Sequence, residues 1–279
     1  MSRYTAYDRT SANYDDTRTP VGVAIIAGCL AEGAARPEQM KVLDAGCGTG
    51  SYTAALLPHV GSVHGVDRSR GMLDQAERKL DHAIAAGRVS LTRASIERLP
   101  FADAAFDGIM VNQVLHHLDD GDDGFPELRR VLAELARVLA PGGVLVVQSS
   151  SPAQLRDGFW FYKLIPRAAT AIGRRLAPFE LLRDELGKHG VGYRERIVPV
   201  DAVLQGPAYF DGRGPLGRAW RDGDSVWELA SDDELEATAK QLRALDGDGE
   251  LDAFVARLDA GRHDLGQVTF LAFAKEEDR

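Results

Sequence analysis

Five short apolar runs, separated by stretches of helical character, constrain this chain more than any other feature. They lie at 41–45, 62–66, 88–93, 106–111 and 144–147. The segments 49–59, 69–86 and 126–140 read as helices. The last sets Leu128, Val131, Leu132, Leu135, Val138 and Leu139 at helical spacing and meets Pro141-Gly142-Gly143. Strands alternating with helices predict an α/β fold with a parallel sheet covered on both faces. Strands that are apolar throughout are those buried on both sides. A further helix is predicted at 20–35, opened by Thr19-Pro20.

Beyond Ser149 the rhythm breaks. Aromatic and basic helices are expected at 159–175 and 180–189, a strand at 193–200, and a Gly/Pro-rich loop at 206–217. Ser231 to Glu234 forms a capping-box sequence opening a helix to Leu245. A short helix follows from Leu251, and a last strand covers 267–274. Charge is uneven: 156–196 holds nine Lys or Arg against five acids, whereas 222–252 holds eleven acids against two bases. Two such segments read as two solvated surfaces or, more sharply, as neighbours that dock on each other over a site.

The net charge of −9 argues against nucleic acid as a partner, because that binding rests on basic surface. No apolar run approaches the roughly 20 residues of a membrane span, so no membrane association is expected. The opening MSRYTAYDRT lacks the apolar stretch of a secretion signal, and a cytoplasmic location is expected. Two cysteines, Cys29 and Cys47, are too few for a disulfide framework or a zinc site. No metal site is expected.

The first apolar run ends in VLDAGCGTG, residues 42–50. Glycines between a strand and a helix let a ligand approach the backbone, at the strand ends where open α/β sheets bind ligands. Asp67 ends the second run, 21 residues after Gly46, where a carboxylate can hold both hydroxyls of a ribose. An adenosine-containing ligand is therefore expected. Asp44 directs the choice further. Its carboxylate would repel a pyrophosphate and attract an ammonium group. The loop also lacks the lysine of a triphosphate-binding loop. An adenosine with a positive tail fits, and S-adenosylmethionine (SAM) is one.

Four segments stand in order: VLDAGCGTG (42–50), VHGVDRS (63–69), ASIERLPFADAAFDGIMVNQVLHHL (94–118) and LAPGGVLVV (139–147). Together they resemble class I SAM-dependent methyltransferases of the small-molecule kind, the methyltransferase type 11/25 group. The resemblance implies a Rossmann-like, mostly parallel seven-stranded sheet with helices on both faces, an N-terminal helical lid and helical insertions. It divides the chain into a lid and helix (1–38), a SAM-binding core (39–150), acceptor-side insertions with one core strand near 193–200 (151–265), and a final core strand (266–279).

By the same resemblance Gly46, Cys47 and Gly48 line the methionine part of SAM, and Asp44 reaches its ammonium. Asp67 holds the ribose, Arg68 and Met72 flank the adenine, and Ser95 and Ile96 meet its edge and face. Asn112 and Gln113 approach the sulfonium side. Many relatives carry Asp where this chain has Ser95, a weaker partner for the adenine amino group. The pattern Ala12, Tyr14, Asp15, Arg18 resembles a lid in which Arg18 pairs with the cofactor carboxylate and Tyr14 closes over the sulfonium.

Methyl transfer needs alignment first and a base where the nucleophile carries a proton. His116, His117 and Tyr14 are the candidates. Asp119 and Asp120 read as a solvated turn. Tyr7, Trp160 and Tyr162 are candidate substrate contacts, the last two from the aromatic run 159–162. The expected activity is methyl transfer to a small metabolite. An alternative keeps the same motifs but breaks another bond of SAM, by cyclisation or aminocarboxypropyl transfer, releasing 5′-methylthioadenosine.

Overall fold

The computed structural model describes residues 18–119, 121 and 123–277. Seven strands form one sheet: β1 (Lys41–Ala45), β2 (Ser62–Asp67), β3 (Val89–Arg93), β4 (Phe106–Asn112), β5 (Leu139–Ser149), β6 (Val191–Ile197) and β7 (Thr269–Lys275). Their order is β3-β2-β1-β4-β5-β7-β6. The first five run parallel, and β7 is antiparallel to both β5 and β6. This is the mostly parallel seven-stranded α/β sheet expected from the sequence.

Side chains alternate across a strand, and here both sets are apolar. Val42, Met110, Val144, Val146, Phe270 and Ala272 enter one core. Leu43, Ile109, Val111, Leu145, Val147, Leu271 and Phe273 enter another on the opposite face. The second face is covered by α5 (Pro126–Val138), through Leu128, Val131, Leu132 and Leu135, and by α8 (Phe179–Gly187), through Leu182 and Leu186. The first face carries α1 (Val23–Leu30) and most of the segment after β5. That segment comprises α6 (Pro152–Asp157), a 3-10 turn at Trp160–Leu164, α7 (Pro166–Gly173), α9 (Arg218–Asp222), α10 (Asp232–Gly247), α11 (Leu251–Asp259) and α12 (Arg262–Leu265). Burial on both faces is what makes the strands uniformly apolar.

Between β1 and β2 lies α2 (Ser51–Leu56). Between β2 and β3 lie α3 (Arg70–Lys79) and α4 (Asp81–Ala85). The Ser69 hydroxyl caps α3 by accepting from Met72 N, as its sequence position predicts. The single helix expected at 69–86 breaks at Leu80, whose backbone (φ −108°, ψ 12°) leaves the helical region. The helix expected at 20–35 is shorter, because Gly22 enters it at φ 71° and a turn beyond it docks Ala34 N on Gly142 O at 3.0 Å. The helix expected at 159–175 divides at Ile165, since the residue before a proline is disfavoured in helical geometry.

The helix expected to run to Ala140 and stop at Pro141-Gly142-Gly143 ends earlier, at Val138, because Leu139 is already extended (φ −75°, ψ 130°); β5 begins there and runs through the tripeptide, with Gly142 at φ 73°. The capping box at Ser231–Glu234 forms. A second one at Ser151–Gln154 opens α6, a helix missed in the sequence. The basic and acidic segments after β5 do meet: Arg167 N and Nη2 donate to Glu234 Oε1 (2.8 Å) and Ser231 Oγ (2.7 Å).

Candidate active site

The strand order reverses between β1 and β4, so the loops leaving these two strands diverge and open a crevice at their C-terminal ends. A cleft lies there, lined by the glycine loop after β1, by Asn112, Gln113, His116 and His117 after β4, and by residues of the post-β5 segment. It encloses about 1190 Å³, mouth included.

The glycine loop is shaped by three left-handed residues, Gly46 (φ 83°), Gly48 (φ 54°) and Gly50 (φ 77°). Gly46 and Gly48 differ in what surrounds them. A Cβ on Gly46 would stand 2.5 Å from Val114 Cγ2, whereas one on Gly48 would meet nothing within 4 Å. Gly46 is therefore a packing glycine, and Gly48 presents its backbone to open space. The loop is tied to β2: Gly46 N and Cys47 N both donate to Val66 O, and Gly48 N donates to Asp67 Oδ2 at 2.9 Å. Asp67 Oδ1 accepts from Ser69 N at 2.8 Å. Desolvation raises the Asp67 carboxyl above its ordinary value, against the pull of these backbone donors.

Asp44 is 2% exposed. Thr53 Oγ1 donates to its Oδ2 at 2.6 Å. Desolvation still dominates and pushes the carboxyl up to about 7. A carboxylate in this position calls for a cation. Cys47 is a buried packing residue whose thiol burial pushes well up, so it is not a reactive thiolate.

Across the cleft, Asn112 Oδ1 and Nδ2 and Gln113 Nε2 are buried without a partner among the described residues. Gln113 is held at φ 54°, a strained conformation for a residue with a side chain. Buried polar atoms are normally satisfied, so these donors and acceptors mark a place for a ligand. The unsatisfied Asn112, the electron-rich Asp44 and the open side of Gly48 converge on one cleft. They fit a ligand with polar edges and a cationic end.

His116 and His117 stack on a short turn with ring centroids 4.0 Å apart. Burial, aided by Arg18, lowers the His116 imidazole to about 4, and burial holds His117 well below its usual range. Both rings are neutral at physiological pH.

The other sequence candidates divide. Arg18 lines the cleft, with Nε on Gly223 O at 3.0 Å and Nη2 3.3 Å from Asp224 Oδ2. Tyr162 also lines it, its hydroxyl donating to Asp224 Oδ2 at 2.8 Å. Arg68, Met72, Ser95 and Ile96 sit beside Asp67 at the ends of β2 and β3, outside the cleft lining. Met72 and Ile96 are buried, and Ser95 Oγ accepts from Glu97 N. Trp160 departs from expectation. It is fully buried, with Nε1 donating to Tyr209 O at 2.8 Å. Its indole needs that buried acceptor, which holds it in the core and away from the cleft. Asp119 also departs from expectation: its carboxylate accepts from Glu127 N and Leu128 N and so caps α5. Tyr7, Tyr14 and Asp120 lie outside the described residues.

Several cleft residues carried no sequence signal. Tyr52 OH and Gln148 hydrogen-bond each other, and Tyr52 OH also accepts from Val21 N at 3.0 Å. This ties the segment before α1 to β5. Leu155, Phe159, Ile172, Leu176 and Val226 form an apolar wall. Only Phe159 lies in the aromatic run, and the aliphatic side chains could not be told from ordinary core.

Residues 43–147 match the family model of a methyltransferase domain. A demethylmenaquinone methyltransferase of Lactiplantibacillus plantarum is 33% identical over 162 residues, covering 55% of this chain and 65% of that protein. The chain thus spans less than two thirds of that relative's length. Among solved structures, a putative methyltransferase from an antibiotic biosynthesis pathway of Anabaena variabilis superposes with a TM-score of 0.70 at 23% identity, covering 92% of this chain and 98% of that one. A geranyl diphosphate methyltransferase in complex with SAM does so with a TM-score of 0.53 at 16% identity, over 91% and 85%. The motif order, the sheet topology, the crevice between β1 and β4 and the family model agree: the chain carries the fold and cofactor-binding domain of the class I SAM-dependent methyltransferases.

Proposed function

We propose that this protein transfers the methyl group of SAM to a small, largely apolar acceptor. The observation that carries this reading is the composition of the cleft. Its lining combines a polar set, the glycine loop with Asp44, Asn112 and Gln113, and an apolar set, Leu155, Phe159, Ile172, Leu176 and Val226, together with Tyr162. The demethylmenaquinone methyltransferase relative fits such an acceptor, since demethylmenaquinone carries a large apolar part.

SAM supplies a methyl carbon already activated by its sulfonium. The protein's task is then to hold two molecules in line and exclude water. In this reading Asp44 faces the ammonium, Arg18 the carboxylate and Asp67 the ribose hydroxyls. Gly46, Cys47 and Gly48 form the floor, and Asn112 and Gln113 supply the buried polar atoms opposite. Arg68, Met72, Ser95 and Ile96 border the adenine. His116 and His117, neutral by burial, accept hydrogen bonds from a protonated acceptor group and do not serve as cationic acids. Residues 39–150 hold the cofactor and 151–265 shape the acceptor pocket, with 1–38 as lid and helix and 266–279 as the last core strand.

Incubation of the purified protein with SAM and a panel of apolar phenols, quinols and amines tests the proposal. Acceptor-dependent S-adenosylhomocysteine is expected. Release of 5′-methylthioadenosine from SAM alone would instead mean that a different bond of SAM is broken.

A further inference from the structure

Asp224 belongs to none of the sequence motifs and lies in the loop after α9, yet its side chain on the cleft wall gathers groups from several distant segments. It is 3% exposed. Val226 N donates to its Oδ1 at 3.0 Å, which caps the following 3-10 turn. The cap needs only that oxygen. Three groups from three distant segments meet the other: Tyr162 OH at 2.8 Å, Gln205 Nε2 at 3.2 Å and Arg18 Nη2 at 3.3 Å. The preceding residue, Gly223, accepts from Arg18 Nε through its carbonyl at 3.0 Å. Two consecutive residues of the post-β6 segment therefore fix the plane of a guanidinium 205 positions earlier in the chain.

A guanidinium is a rigid planar fork of five N–H donors. Contacts at Nε and Nη2 set the plane of that fork. Arg18, Asp44 and Gly48 line the same cleft, so the fork stands in the cleft that would receive the amino-acid arm of the cofactor. Tyr162 shares the same carboxylate oxygen and lines the cleft together with the apolar residues Phe159, Leu155 and Val226.

We propose that Asp224 is a positioning residue: it orients Arg18 toward the carboxylate of the bound cofactor and, through Tyr162, ties that orientation to the acceptor wall. This rests on the SAM reading above. The opposing physical effect is plain. A carboxylate beside Arg18 also cancels part of its charge, and if cancellation outweighed orientation, removing Asp224 would tighten cofactor binding.

Calorimetric titration with S-adenosylhomocysteine and with 5′-methylthioadenosine, which lacks the amino-acid arm, separates the possibilities. In Asp224→Asn, S-adenosylhomocysteine is expected to bind about ten-fold more weakly, as for loss of a charge-assisted contact, while 5′-methylthioadenosine stays within about two-fold. Arg18→Ala is expected to show the same selective loss, and the double variant no more than Arg18→Ala alone. Unchanged or tighter S-adenosylhomocysteine binding, equal weakening of both ligands, or additive losses would each overturn the proposal. Should Asp224→Asn not fold, Arg18→Lys carries the test, because it keeps the charge but cannot bridge Gly223 and Asp224. The same selective loss is expected, and wild-type affinity would refute it. If the unaltered protein binds neither ligand, the SAM reading itself has failed.

Discussion

The affinity of this protein for its cofactor should fall steeply with acid, because of Asp44. In the ligand-free protein, desolvation holds that carboxyl protonated up to about pH 7. A ligand ammonium beside it stabilises the anion, so binding below pH 7 must expel a proton. Affinity then weakens by about ten-fold, or ~1.4 kcal/mol, for each pH unit below that value. Between pH 7.0 and 5.5 the population of ionised Asp44 falls about sixteen-fold, and the dissociation constant of S-adenosylhomocysteine should rise by the same factor. His116, lowered to about 4, and His117, lowered well below its usual range, do not charge in this interval. Asp67 is also raised by desolvation, and any proton it releases on binding acts in the same direction. Calorimetry at both pH values, in two buffers of different ionisation enthalpy, reads affinity and proton release together. Asp44→Asn should bind weakly at both and flatten the profile. A flat profile in the unaltered protein, or an unchanged slope in Asp44→Asn, would refute the reasoning.

The same carboxyl makes an opposite prediction for stability. A raised folded-state value means that Asp44 favours the fold at low pH and opposes it as pH rises through about 7. Asp44→Asn should therefore stabilise the ligand-free protein at pH 8, by roughly 2–4 kcal/mol, and a lowered melting temperature there would contradict this. Gly48→Ala, at φ 54° with open space around it, should cost only about 1–2 kcal/mol of stability yet weaken S-adenosylhomocysteine binding. Gly46→Ala meets Val114 and should lose more stability than Gly48→Ala, a ranking that thermal melts would check. Trp160→Ala should cost about 3–5 kcal/mol in chemical denaturation, and a folded variant altered only in acceptor preference would show that its burial had been misjudged.

What could be read from the sequence followed from local rules. The apolar runs became β1, β4 and β5 because a strand buried on both faces has few polar positions to break it, while β3, with only Val89 buried, showed as an alternation. The neighbourhood of the glycine loop and Asp67 was legible because the loop after one parallel strand lies beside the end of the next, and Gly48 N and Asp67 do meet. Arg18 was legible as a cleft residue, but its partner was not. The carboxylate of Asp224 reaches it only through the tertiary fold, and no periodicity links positions 206 apart. Trp160 was misplaced for a related reason. An aromatic run has the same composition whether it lines a pocket or fills a core, and the deciding contact, Tyr209 O, lies 49 residues further on. Helix boundaries at Leu80 and Ile165 depended on single-residue backbone angles that spacing alone does not specify.

The sheet order carries a consequence for synthesis. Strand β6 sits at an edge, and its neighbour there is β7, which emerges about seventy residues later. Until β7 inserts between β5 and β6, the exposed side of β5 has no partner and Val191–Ile197 has no ladder to join. Two contacts beside β7 wait on the same event: Ser150 Oγ donates to Gln267 O, and Leu204 N donates to Gln267 Oε1. A nascent chain can thus assemble β1 to β4, with its glycine loop, while the acceptor wall is still unframed. Domains form in the order in which the ribosome delivers them. Ligand-binding competence of the two halves should then arise at different times, with capture of the adenosine cofactor preceding discrimination among acceptors.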